Sequence, residues 1–224
     1  MNLGIIADMR SEYDLALATY EEALNIYIAE GSKENEAQIY ANMGVCYEHK
    51  KEWPKAINTF KKGLDLIHDV DDHEVRGSLY LNLGKAYAEL ENTLEAEKHA
   101  KKALKMFKLM GDTRRVADAY HVFGLIHGSK GNLSSAELFF NESLRLNEQE
   151  KNLDSIAETY ESYAKIYQKN NDIQSAKKNY ERAIETYKKL NLEVSVEKLI
   201  GVIAKLNVNS VDLTSRAPVI EDDI

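Results

Sequence analysis

The chain has 224 residues, with 29 lysines and arginines against 37 aspartates and glutamates, and a formal net charge of −8. That balance argues against a surface built to neutralise phosphates, so nucleic acid is not an expected partner. A single cysteine, Cys46, excludes an internal disulfide and any cysteine-rich metal site. No run approaches the roughly eighteen apolar residues of a membrane-crossing helix, and the N-terminus lacks a signal pattern, so a cytoplasmic protein is expected.

The elements follow a grid. Ala16, Ala56, Ala96, Ala136 and Ala176 stand forty residues apart, as do Gly44, Gly84, Gly124 and Ala164, and Tyr40, Tyr80, Tyr120 and Tyr160. Several columns in one phase define an internal repeat. Residues 1–32 read as a partial repeat, and full repeats begin near 33, 73, 113 and 153. The third shows the pattern. Val75, Leu79, Tyr80, Leu83, Ala86, Tyr87 and Leu90 recur at three- and four-residue steps, which predicts an amphipathic helix. Glu91–Thr93 is a polar turn, a second helix runs to Met110, and Gly111 is its left-handed cap. In the second repeat Pro54 marks a helix start, since a first-turn proline loses no needed N–H. The column glycines are expected to let two helix backbones approach. Residues 193–206 fall in phase as a capping helix, and 207–224 read as a disordered acidic tail.

These columns resemble the tetratricopeptide repeat, whose first helix carries an aromatic, Leu-Gly and Tyr, and whose second carries Ala, an aromatic and Ala. The first-helix motif is Tyr40 through Met43-Gly44 to Tyr47, Tyr80 through Leu83-Gly84 to Tyr87, Tyr120 through Phe123-Gly124 to His127, and Tyr160 through Tyr163-Ala164 to Tyr167. The second-helix motif is Ala56, Phe60, Gly63, then Ala96, Ala100, Ala103, then Ala136, Phe140, Ser143, then Ala176, Tyr180, Ala183. The resemblance implies an all-α, right-handed helical-hairpin solenoid. The period of forty exceeds the family's usual repeat and resembles the long repeats of animal cell-polarity adaptors and Rap-type bacterial peptide sensors. Gly4 occupies the first-helix glycine column, so the chain reads as a fragment of a longer protein, with an exposed half-helix cap as the other reading.

By the same resemblance the first helices line a concave groove, and residues off the packing columns face it. The candidate peptide-binding residues are Asn2, Asn42, Val45, His49, Leu81, Asn82, Lys85, His121 and Leu125. Asn2, Asn42 and Asn82 share one column, and a side-chain amide offers both a donor and an acceptor to the backbone of an extended peptide. The competing reading is an ordinary family preference, satisfied locally or by water. Asp8, Glu158 and Glu161 make the groove acidic at its ends, which favours a neutral to basic peptide. A carboxylate clamp of the chaperone-cofactor kind is not expected, because its places hold Ala41, Val45, Asn82, Asp118 and Val122.

No phosphate loop, nucleophile elbow or zinc-protease motif occurs, and neither enzymatic activity nor a cofactor is expected. His68, Asp69, Asp71, Asp72 and His73 crowd one turn, but a polar loop explains them better than a metal. His127 reads as a packed histidine and Cys46 as a structural thiol. The expectation is a scaffold that binds an extended peptide or a partner protein in the groove. The alternatives are a Rap-type peptide-responsive sensor module, or a structural array self-assembling through its open N-terminal face.

Overall fold

The computed structural model describes the backbone of residues 2–69 and 72–214. Among these, eleven α-helices account for nearly all the chain: α1 (Asn2–Met9), α2 (Tyr13–Glu30), α3 (Lys33–His49), α4 (Trp53–Leu66), α5 (His73–Glu89), α6 (Thr93–Met110), α7 (Thr113–Ser129), α8 (Leu133–Gln149), α9 (Leu153–Lys169), α10 (Ile173–Lys189) and α11 (Glu193–Thr214). First helices start at 33, 73, 113, 153 and 193, and second helices at 13, 53, 93, 133 and 173, so the forty-residue grid is kept to the residue.

The turns explain this regularity. Ser11, Gly31, Lys51, Glu91, Gly111, Gly131, Lys151, Asn171 and Asn191 all adopt positive φ, between 53° and 73°. Each reverses the chain out of one helix, and the next residue opens the following helix. That opening residue is a side-chain cap in several repeats: Asp72 accepts from the N–H groups of Glu74 and Val75, Asn92 from Glu95, Asp112 from Arg115, Asn152 from Ser155 and Asp172 from Ser175. These bonds satisfy helix N–H groups that have no intrahelical partner. Pro54 lies in the first turn of α4 as expected.

The chain divides into two compact units, Met1–Leu146 and Asn147–Ile224, with the division inside α8. In the first unit consecutive helices pack from α1 to α7, and the first helices also touch one another, α3 on α5 and α5 on α7. Ala7, Ala16, Tyr20, Ala23, Ile39, Met43 and Cys46 form one core cluster. Another gathers Ala56, Phe60, Leu79, Leu83 and Ala86. Each layer thus buries a second helix between its own first helix and the next. In the second unit α10 packs on α9 and α11, around Ala157, Ala164, Ala176, Tyr180, Tyr187 and Leu199.

The glycine column works differently from the expectation. A Cβ at Gly124 would lie 2.5 Å from two ring atoms of Phe140, and one at Gly4 would lie 2.6 Å from Tyr20. Gly44 meets Phe60 in the same way. There the glycine is a socket for a ring, not a point where two backbones meet. Only Gly84 fits the original reason. Its partner position holds Ala100, and a Cβ would stand 3.2 Å from the Ala100 nitrogen and 3.3 Å from the Ala96 oxygen.

At the far end, α11 runs eight residues beyond the expected stop at Leu206. No proline or glycine lies between Val202 and Ala217 to end it, and Pro218 is the next breaker. Residues 215–224, most of the expected tail, lie outside the described residues.

Candidate peptide-binding face

The nine candidates fall on four first helices of the first unit. Asn2 lies on α1, where its side chain is outside the described residues; Asn42, Val45 and His49 lie on α3; Leu81, Asn82 and Lys85 on α5; His121 and Leu125 on α7. The contacts of α3 on α5 and of α5 on α7 bring these helices side by side. The same contacts bury part of the candidate set. Leu81 is 7% exposed and Leu125 9% exposed, so both belong to the folded chain's own interior. What remains accessible is a polar edge.

Asn42 and Asn82 are half-buried, each flanked by fully or nearly buried neighbours: Ala41 and Met43, Leu81 and Leu83. The Asn42 Oδ1 accepts from Gln38 Nε2 at 3.1 Å. Among the described residues Asn82 makes no side-chain hydrogen bond, and the Asn42 amide nitrogen donates none. The ladder column therefore has hydrogen-bonding capacity left over. Nearby, Arg115 donates to Ser78 Oγ at 3.0 Å. His121 packs tilted against Phe140, ring centres 5.7 Å apart.

At the α1 end, His49 Nδ1 lies 3.0 Å from Asp8 Oδ1, and Cys46 Sγ donates to the same oxygen at 3.5 Å. His49 also sits 5.3 Å from the Tyr13 ring. Cysteine, histidine and carboxylate meet here, yet the arrangement is inert as a nucleophile. Cys46 is fully buried, and burial followed by the Asp8 charge pushes its thiol up to about 12. The histidine faces the carboxylate, not the sulfur.

Glu161, expected to make the far end of the face acidic, is internally neutralised. It accepts from Lys165 at 2.9 Å, from Lys198 at 3.1 Å and from the Tyr187 hydroxyl at 3.2 Å. Against the upward pull of burial, the two lysines hold its carboxyl below the usual range. Asp8, bonded to His49, is likewise not a free charge.

In the turn rich in histidine and aspartate, His68 Nε2 lies 2.7 Å from Asp69 and Asp72 caps α5, while Asp71 is outside the described residues. His127 stacks on Phe139 at 5.1 Å, and burial lowers its pKa, as for a packed histidine. Sequence reasoning did not find His99. It lies buried in parallel stacking with Tyr87, ring centres 5.7 Å apart and planes 9° off, and 5.6 Å from Tyr80. The signal for it was its place one turn after Glu95 on the inner side of α6.

Stacked helical hairpins with a polar edge along their first helices define a repeat protein. The match to family models is direct: tetratricopeptide repeat models cover residues 1–67, 35–109, 75–149 and 157–190. The chain belongs to the tetratricopeptide repeat family. Among solved structures it is similar to a Rap protein complexed with competence and sporulation factor, at 17% identity and a TM-score of 0.78 over 91% of this chain and 60% of that one. It is also similar to a signal transduction ATPase with numerous domains, carrying a tetratricopeptide repeat sensor, from Pyrococcus horikoshii. That match has 18% identity and a TM-score of 0.66 over 97% of this chain and 35% of that one. Aspartyl phosphate phosphatase F from Bacillus subtilis matches at 15% identity and a TM-score of 0.68, over 88% of this chain and 51% of that one. The chain thus spans between 35% and 60% of the length of these proteins. No curated protein matches it in sequence. Among the described residues no helix is long and apolar enough to cross a membrane.

Proposed function

We propose that this chain is a binding module, not an enzyme, and that the first-helix face of its first unit takes an extended peptide segment of a partner protein. The observation that carries this reading is the spare hydrogen-bonding capacity of Asn42 and Asn82. Neighbouring helices in such stacks lie about 10 Å apart, close to the rise of three extended residues, so the two amides can clamp the backbone at two points. His49, Lys85 and His121 flank this line, and the half-buried Val45 supplies an apolar contact beside it. With Asp8 and Glu161 internally paired, the charge leaning of the partner is weak, and a neutral to mildly basic segment fits best.

A sensor role is the second reading. It is favoured by the likeness over nearly the whole chain to the repeat-bearing sensor protein, of which this chain covers only 35%. In that case peptide binding would shift the packing of the first helices and be read by another part of a longer protein.

The test is a pull-down from source lysate with wild type and the Asn42→Ala, Asn82→Ala double variant, with captured proteins identified by mass spectrometry. A partner lost in the variant, at unchanged helicity and melting, supports the clamp. An identical catch removes it.

A further inference from the structure

The outer face of α6 carries a row that no other second helix repeats. Leu94, Lys98, Lys101, Lys105, Lys108 and Leu109 follow one another at three- and four-residue steps, with one final step of one, and all six are exposed. Leu94 is 78% exposed and Leu109 70%. Such steps place them on one side of the helix, and from end to end the row spans about 22 Å. Between Lys101, Lys105 and Lys108 lies a shallow cavity of about 380 Å³, with Leu104 and Leu109 as its apolar lining.

The other repeats act as an internal control. At the Leu109 column they hold Ala29, Asp69, Gln149 and Lys189, and at the Lys105 column Asn25, Asp65, Arg145 and Glu185. Those mixtures are what a merely solvated face contains. Helix stability does not account for the α6 row either. Like charges four residues apart, as in Lys101 and Lys105, oppose the helix. The helix dipole favours a cation at Lys108 only. Some charge is already spent: Lys101 lies 2.7 Å from Glu97 and Lys98 3.1 Å from Glu95. Lys105 has no carboxylate partner among the described residues, and Lys108 stands 5.6 Å from the Tyr120 ring.

We propose that this face of α6 is a second docking surface, fitted to an acidic segment of a partner protein that also carries leucine-sized side chains. The lysines meet the carboxylates, and Leu104 and Leu109 receive an apolar side chain. Charge complementarity points to an anion, and the apolar lining selects peptide over phosphate polymer. Lysines without arginine give no bidentate phosphate grip, and the chain's net negative charge repels a long polyanion. The surface lies on a second helix, so it stands or falls independently of the asparagine clamp.

The probe is a fluorescein-labelled peptide of about sixteen residues repeating Leu-Glu-Glu-Leu, followed by anisotropy at low and physiological salt. Binding to wild type should weaken with salt. It should fall at least about tenfold in Lys105→Glu, Lys108→Glu and several-fold in Leu109→Ser, with helicity unchanged. The same charge change on α10, Lys178→Glu with Lys188→Glu, should leave it within about twofold. No binding by wild type, an equal loss from the α10 variant, or tighter binding of a single-stranded DNA oligonucleotide than of the peptide overturns the proposal. So does a concentration-dependent dimer of the unliganded chain that Lys105→Glu, Lys108→Glu dissolves, because the occupant would then be a second copy.

Discussion

His99 and His127 are the side chains from which a loss of stability in mild acid is expected. Both rings are inserted among aromatic neighbours, and the Nδ1 of each is buried without a hydrogen-bond partner. Burial lowers both pKa values from the ordinary 6.5; for His99 the nearby Glu95 opposes the shift without cancelling it. The folded chain therefore binds fewer protons than the unfolded chain once pH drops below about 6.5. The stabilisation is complete above that value and declines as pH falls toward the folded-state values. Lowered carboxylates such as Glu95 and Glu97 lose their contribution only at more acidic pH. Replacing both rings, His99→Phe with His127→Phe, should shrink the difference in melting temperature between about pH 7 and pH 5.5. A difference equal to that of wild type would assign the acid sensitivity elsewhere.

Between elements, the decisive contact is the ring in its glycine socket. Phe140 is fully buried over Gly124, as Phe60 is over Gly44. Gly124→Ala should cost about 1–3 kcal/mol by overpacking, and Phe140→Ala about 3–5 kcal/mol by opening a cavity. The double variant places alanine at both positions, one methyl more than the natural Gly84 and Ala100 pair. Its cost in urea denaturation should fall clearly below the sum, because the new methyl enters the space the ring has left. Additive costs would mean that the socket does not couple the two helices. The third repeat also shows where the missing ring went. Phe107 is buried about two turns further along the same side of α6, and a Cβ at Gly77 would stand 2.7 Å from it.

Over the whole molecule, the columns Ala16 to Ala176 and Gly44 to Gly124 made the hairpin array legible before any coordinates, because packing between identical layers imposes identical residues. Helix starts were equally legible, since Ser32, Asp72, Asp112 and Asn152 hold one column and each precedes a helix. The site was less so. Leu81 and Leu125 looked available from the family resemblance, but contacts between successive first helices bury them, and such contacts leave no local period. The pairing of Glu161 was legible only in part: Lys165 lies one turn along the same helix, but Lys198 lies 37 positions away on another. The α6 row was visible as lysines in the sequence, but its meaning needed the exposure of Leu94 and Leu109.

The left-handed turn residues recur at matching places among the described residues, and this has a consequence for the history of the gene. A recombination joining Asn92 directly to Leu133 would delete one period, residues 93–132, and leave every later residue in phase. The junction would keep the Glu91 turn, whose φ is 57°. It would pair α5 with α8 and set Gly84 opposite Phe140, the glycine-and-ring combination that already holds α7 against α8. The shortened gene product should fold, without the lysine row. Array length is thus a trait that unequal crossing-over can change in single steps, each descendant inheriting intact seams and a different set of outward faces.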